Sequence, residues 1–234
     1  HAIYEQNIAG HLAGTPLDEG ASMGIHESQS LFYENMIGRN YSFWKRYYEK
    51  LKQYSPGQFE HVALDDFYRA VNEVKPSLIR IEADELTYSL HIIVRYEMEK
   101  LLFEGALSVE ELPHVWNEKY KQYLGIAPDH DGNGILQDVH WAGGSFGYFP
   151  SYALGYMYAA QFKQKIETDL SDLDQLIENG EFAAIRSWLS KHIHQYGKMK
   201  KPLEIVMEAT GEPLNPTYFI QYLEQKYKDI YRLK

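Results

Sequence analysis

Residues 86–103 read LTYSLHIIVRYEMEKLLF. The apolar positions Leu90, Ile93, Val94, Met98, Leu101 and Leu102 recur every three or four residues, the spacing that puts side chains on one face of an α-helix. The same period recurs on both sides. Downstream, it predicts helices from Ser108 (as cap) through Tyr123, over 150–178, over 181–195 and over 215–231, the last with Pro216 in its first turn. Upstream, it predicts helices over 1–12, from a Ser22 cap through Ile25, Glu27, Leu31 and Ile37 to Gly38, over 42–54 ahead of Ser55-Pro56-Gly57, and over 64–74 ahead of Pro76. Two stretches fall outside the pattern. Residues 77–88 are ambiguous, and Leu78, Ile79 and Ile81 suit a short strand. Residues 125–149 carry many Gly, Asp and aromatic residues and read as a long functional loop. The fold class is all-α in one compact unit over 1–234, with a short strand or hairpin at most.

Composition narrows the function classes. Of 234 residues, 44% are hydrophobic and 24% charged, ordinary for a globular chain with a substantial core. The net charge of −10 argues against nucleic acid as the main partner, because phosphate binding needs clusters of Lys and Arg. No apolar run approaches the roughly 18 residues of a membrane-spanning helix. Without cysteine there is no disulfide and no thiolate ligand, which allows a cytoplasmic setting and leaves any metal to His, Asp and Glu. The chain opens on His1 rather than Met, so the expectation is a piece of a longer product.

Three clusters have the residue types that chemistry needs. His1 precedes Ala2-Ile3-Tyr4-Glu5-Gln6, and a Gly-rich reversal leads to His26-Glu27-Ser28-Gln29. A helix His and a Glu from a second helix are two of the three protein ligands of a catalytic zinc. Taken alone, a solvated His and a surface Glu are the commoner case. In Ile79-Arg80-Ile81-Glu82-Ala83-Asp84, Arg80 suits either a bound carboxylate or an ion pair with Glu82, Asp84 or Glu85. The third cluster runs from Gly134 through Gln137, Asp138, His140 and Trp141 to Tyr148 and Tyr152; it suits a cleft wall with oxyanion donors or an aromatic cover on the core. Asp129-His130-Asp131-Gly132 is no calcium loop, because His140 stands where the bidentate Glu belongs. His61, His91, His114, His192 and His194 show no metal spacing.

Together and in this order, the clusters resemble the Taq-type thermostable metallocarboxypeptidases. That family carries H-E-x-x-H, H-E-S-[RQ], I-R-x-x-A-D and G-x-x-Q-D-x-H-W. The second, third and fourth motifs match at His26–Gln29, Ile79–Asp84 and Gly134–Trp141, and His1 matches the last His of the first. The resemblance implies a compact helical metallopeptidase fold and a zinc ion, with cobalt or manganese as substitutes. It makes His1 and Glu27 metal ligands, with the third ligand, the first His of H-E-x-x-H, and the general-base Glu upstream of this chain. Arg80 would bind the C-terminal carboxylate of a peptide, and His140 and Tyr152 would stabilise the oxyanion, with Tyr148 the alternative to Tyr152. Gln137 and Asp138 would orient His140 or a ligand. The implied activity is release of single C-terminal residues with broad specificity by a cytoplasmic homodimer, the 234 residues alone being inactive. A non-catalytic helical interaction module and an endo-acting oligopeptidase are the alternatives.

Overall fold

The computed structural model describes residues 1–170 and 172–233. Among them run helices α1 (Ala2–Glu5), α2 (Met23–Leu31), α3 (Tyr41–Tyr54), α4 (Leu64–Val71), α5 (Glu85–Phe103), α6 (Leu112–Leu124), α7 (Pro150–Leu170), α8 (Leu173–Asn179), α9 (Phe182–His192), α10 (Pro202–Thr210) and α11 (Thr217–Tyr231). Short 3₁₀ turns occupy Gly10–Leu12, Arg80–Glu82 and His194–Met199, and a π-helical turn, Phe32–Gly38, continues α2. The all-α class holds. The expected single unit does not: the chain packs as two, one of His1–Asn72 with the residues from Leu154 onward, the other of Glu73–Ala153.

In the first unit, α3 packs on α4 and α8, and α9 on α8 and α10. Its core includes Ile25, Phe32, Met36, Tyr156, Phe162, Ile166, Ile185 and Leu189, all buried. Ser22 caps α2 as expected, its Oγ accepting the Ile25 N–H at 3.2 Å. The helix expected over 1–12 stops after Glu5, short of Gly10 and Gly14. The one expected over 150–178 is two, because Asp172 caps a new helix by accepting the Gln175 N–H. Helix α10 has no counterpart among the sequence expectations. It opens on Pro202 and closes at Gly211 (φ 87°), the ordinary start and stop signals.

The second unit is built on α5 and α6. Val94 and Met98 of α5 pack against Trp116, Tyr120 and Leu124 of α6, and Trp141 of the long loop lies against them. Fully burying each large side chain stabilises by about 1.5–3 kcal/mol. Asp84 starts α5 by accepting the Thr87 N–H at 2.9 Å. Pro113 in the first turn of α6 sets its start at Leu112, so Ser108 is not the cap and bonds Glu111 instead.

The ambiguous stretch around Leu78–Ile81 does not form the short strand its residues suit, and the Gln137 side chain explains why. Its Oε1 accepts the backbone N–H of Arg80 at 2.8 Å, and its Nε2 donates to the carbonyl of Leu78 at 3.0 Å. One amide thus satisfies groups that a neighbouring strand would otherwise have paired.

Candidate active site

In the first unit, α1 and α2 bring His1 and Glu27 together, with His1 Nε2 3.6 Å from Glu27 Oε2. Glu27 is buried, and Ser30 Oγ donates to the same oxygen at 3.2 Å. Gly155 of α7 makes this burial possible. A methyl group there would lie 2.6 Å from Cβ of Glu27, so only glycine lets the two helices approach so closely. Ser28 and Gln29 turn inward. Gln29 Nε2 donates to Ser28 Oγ at 2.9 Å, and Gln29 Oε1 meets His194 Nε2 at 2.7 Å. Burial drives the imidazole of His194 down to about 3, so it is neutral. Among the described residues no three His, Asp or Glu side chains converge as a metal site. A cavity of about 910 Å³ opens elsewhere in this unit, beside Asn35, Arg39, Tyr41 and Tyr222, and includes neither His1 nor Glu27.

In the second unit, the third and fourth motifs form one buried network. The carboxylate that meets Arg80 is Asp138, where the local reading offered Glu82, Asp84 or Glu85. Asp138 Oδ1 accepts from Arg80 Nε at 3.0 Å and Nη2 at 2.8 Å; its Oδ2 accepts from Arg95 Nε at 2.6 Å. Arg80 Nη1 also donates to the hydroxyl of Tyr88 at 2.6 Å. Burial alone would raise the carboxyl of Asp138, but Arg80 and Arg95 outweigh it and hold the group below the usual carboxylate range. Two guanidiniums share one carboxylate, which leaves positive charge under the ring of Tyr152, 4.9 Å from Arg80 Cζ. Beside them His140 Nε2 lies 3.2 Å from the hydroxyl of Tyr152, and the rings of Tyr148 and Phe149 flank the imidazole. Burial, then the charge of Arg80, lowers the pKa of His140 and keeps the ring neutral at pH 7. The structure thus joins Arg80, Gln137, Asp138, His140 and Tyr152 within one unit, with Tyr148 adjoining.

Sequence reasoning set His91 aside for want of metal spacing and passed over Arg95 and Glu99; the three are buried residues four apart on α5. The His91 imidazole, driven down to about 3 by burial and then Arg95, meets the Tyr120 hydroxyl at 3.0 Å. Arg95 Nη2 donates to Gln137 Oε1 at 2.9 Å. Glu99 accepts from Trp141 Nε1 at 2.7 Å and from the Gly147 N–H at 3.0 Å, pinning the loop that carries His140. The i, i+4, i+8 spacing of titratable residues inside an otherwise apolar helix was the available signal.

Residues 1–227 match the family model described as Carboxypeptidase Taq (M32) metallopeptidase. The chain is 64% identical over 233 residues to Carboxypeptidase 1 of Bacillus subtilis, covering 100% of this chain and 46% of that protein. It is 48% identical to Thermostable carboxypeptidase 1 of Thermus thermophilus, covering 99% and 45%. The crystal structure of the M32 carboxypeptidase from Deinococcus radiodurans R1 superposes with a TM-score of 0.96 at 39% identity, over 99% of this chain and 47% of that one. The chain spans about half the length of the curated relatives it matches. On the family match, these identities and the motif residues, the chain belongs to the Carboxypeptidase Taq (M32) metallopeptidase family.

Proposed function

We propose that the chain carries part of the machinery of a zinc carboxypeptidase that releases single residues from peptide C-termini with broad side-chain tolerance. The observation that carries this reading is the pair of donors His1 Nε2 and Glu27 Oε2, 3.6 Å apart. Two ligands of a tetrahedral zinc, at bonds of about 2.0–2.2 Å, stand roughly 3.3–3.5 Å from each other. An imidazole nitrogen and a carboxylate oxygen suit zinc, and also cobalt or manganese. When bound, the metal polarises a peptide carbonyl and lowers the pKa of water.

The chain's other residues supply orientation and charge. His140 and Tyr152 present two neutral donors side by side for an oxyanion, and the residual positive charge of the Arg80–Arg95–Asp138 cluster favours negative charge building up there. Arg80 gives three N–H groups to Asp138 and Tyr88, leaving two of its five for a substrate carboxylate. Tyr148, beside His140, would line the substrate path.

Two donors are one short of a catalytic set. The reading takes the third ligand and the general base from residues outside this sequence, so the 234 residues alone hold metal weakly and turn over slowly. A cytoplasmic homodimer is part of the same reading. The test is zinc content of this chain and of one extended through H-E-x-x ahead of His1, each assayed on a peptide with a free C-terminus and on its amide. Zinc and cleavage of the free peptide only in the extended form support the reading. Equal cleavage of the amide overturns the exopeptidase role, and no metal in either form overturns the ligand assignment.

A further inference from the structure

His1 does not stand alone beside Glu27. Its Nδ1 lies 3.3 Å from Nδ1 of His26, and His26 Nε2 lies 2.6 Å from Oε1 of Glu5. The direction of this chain of hydrogen bonds follows from its far end. A carboxylate only accepts, so His26 Nε2 carries the hydrogen. As a neutral imidazole, with one donor and one acceptor, His26 would have Nδ1 bare to accept from His1 Nδ1–H. That leaves His1 Nε2 bare, and Nε2 is the atom that faces Glu27. A metal takes only a nitrogen without its proton.

We propose that Glu5 and His26 are positioning residues that set the tautomer of His1, so that Nε2 stands ready for the metal. The proposal rests on the ligand assignment made above and deepens it. Metal-bound histidines usually give their second N–H directly to a carboxylate or carbonyl. Here a second imidazole stands between.

The surroundings hold the relay from both sides. Glu5 Oε1 also accepts the Gly20 N–H at 3.0 Å. A methyl group on Gly20 would lie 2.4 Å from His26 Nε2 and 2.8 Å from Tyr4 Cε1, so the loop closes over the His26–Glu5 bond only as glycine. Tyr4 packs its ring 4.8 Å from that of His26, and its hydroxyl accepts the Ala21 N–H at 3.0 Å. The His26 side chain is 13% exposed and that of His1 50%, so the inner imidazole is the fixed member and the outer one is steered. With both nitrogens engaged, His26 acts as an orienter rather than a ligand.

The test needs no activity. Long-range ¹H–¹⁵N correlation spectra of the metal-free chain labelled with ¹⁵N-histidine report which ring nitrogen is protonated, and zinc affinity is read by chelator competition. The expected result is the Nδ1–H tautomer at His1 and Nε2–H at His26. In Glu5→Leu the acceptor of the His26 Nε2–H is lost, so the His1 Nδ1–H tautomer is no longer held and zinc affinity falls about 10–100-fold. His1 found as Nε2–H, His26 protonated at both nitrogens, or Glu5→Leu changing neither tautomers nor affinity each overturns the proposal. Because the spectra of the unmodified chain stand on their own, misfolding of a variant does not decide the matter. Expected tautomers in a chain that takes up no zinc, even when extended upstream, uphold the relay and sink the ligand assignment.

Discussion

Gly155→Ala sets two effects of opposite sign against each other. Within a helix the substitution gains about 1 kcal/mol of propensity. The new Cβ would stand 2.6 Å from Glu27 Cβ, 3.0 Å from the Glu27 carbonyl carbon and 3.1 Å from Leu31 Cδ1. Carbon atoms pack at about 3.5–4.0 Å, so α7 and α2 must part by roughly 1 Å. Two of the three atoms belong to or adjoin the α2 backbone and cannot rotate away, which places the cost near the upper end of the about 1–3 kcal/mol typical of overpacking. The net expectation is a loss of about 2 kcal/mol, a fall in Tm of roughly 4–8 °C for a chain of this size. Thermal and urea unfolding followed by circular dichroism measure it. Gly24→Ala is the control, because its Cβ would meet Tyr158 Cε2 at 3.3 Å, a contact that a small ring shift relieves. If Gly155→Ala unfolds at or above the parent temperature, the reasoning that Gly155 sets the seat of Glu27 is wrong.

Acid should weaken the fold through one buried histidine in each unit. His91 and His194, both lowered to about 3, are neutral when folded and titrate near 6.5 when released. Their contribution is whole above about pH 6.5 and drains away as pH falls toward 3; together they cost about 4 kcal/mol between pH 7 and 5. Urea midpoints at the two pH values check this, and His194→Gln should halve the drop; equal midpoints would contradict it. Asp138→Asn leaves the guanidiniums of Arg80 and Arg95 buried without their carboxylate, an expected loss of about 3–5 kcal/mol in urea unfolding. Tyr152→Phe in the full-length protein should cut kcat by about 10²–10³-fold with KM little changed, the pattern of a donor used only in the transition state. A rise in KM alone would assign Tyr152 to binding.

The helices were legible where one apolar stripe decided them, as at α5, or where a local cap did, as at α2 with Ser22. Legibility failed where a distant side chain decided. Leu78–Ile81 has strand-like residues, yet its backbone is satisfied by Gln137, which local periodicity cannot see. Of the candidate site, the motif residues were singled out through their resemblance to a family, and their partners were not. Arg95 looked like one polar residue in an apolar helix, and its role depends on Asp138, 43 residues on. Glu5 and His26 were visible as letters, but only the fold shows which nitrogen faces which oxygen.

The first unit is discontinuous: its opening part ends at Asn72 and its remainder begins at Leu154. A ribosome adding about 5–20 residues per second therefore makes the whole of the other unit before it can complete this one. For several seconds Gly24, Glu27 and Leu31 wait without Leu154, Gly155 and Tyr158, their eventual neighbours. The segment from Glu73 to Ala153 is contiguous and can close on itself meanwhile. The contact between Gly155 and Glu27 is thus among those that must form late in synthesis, so a nascent chain can have its Arg80–Arg95–Asp138 cluster in place before Glu27 acquires its final surroundings.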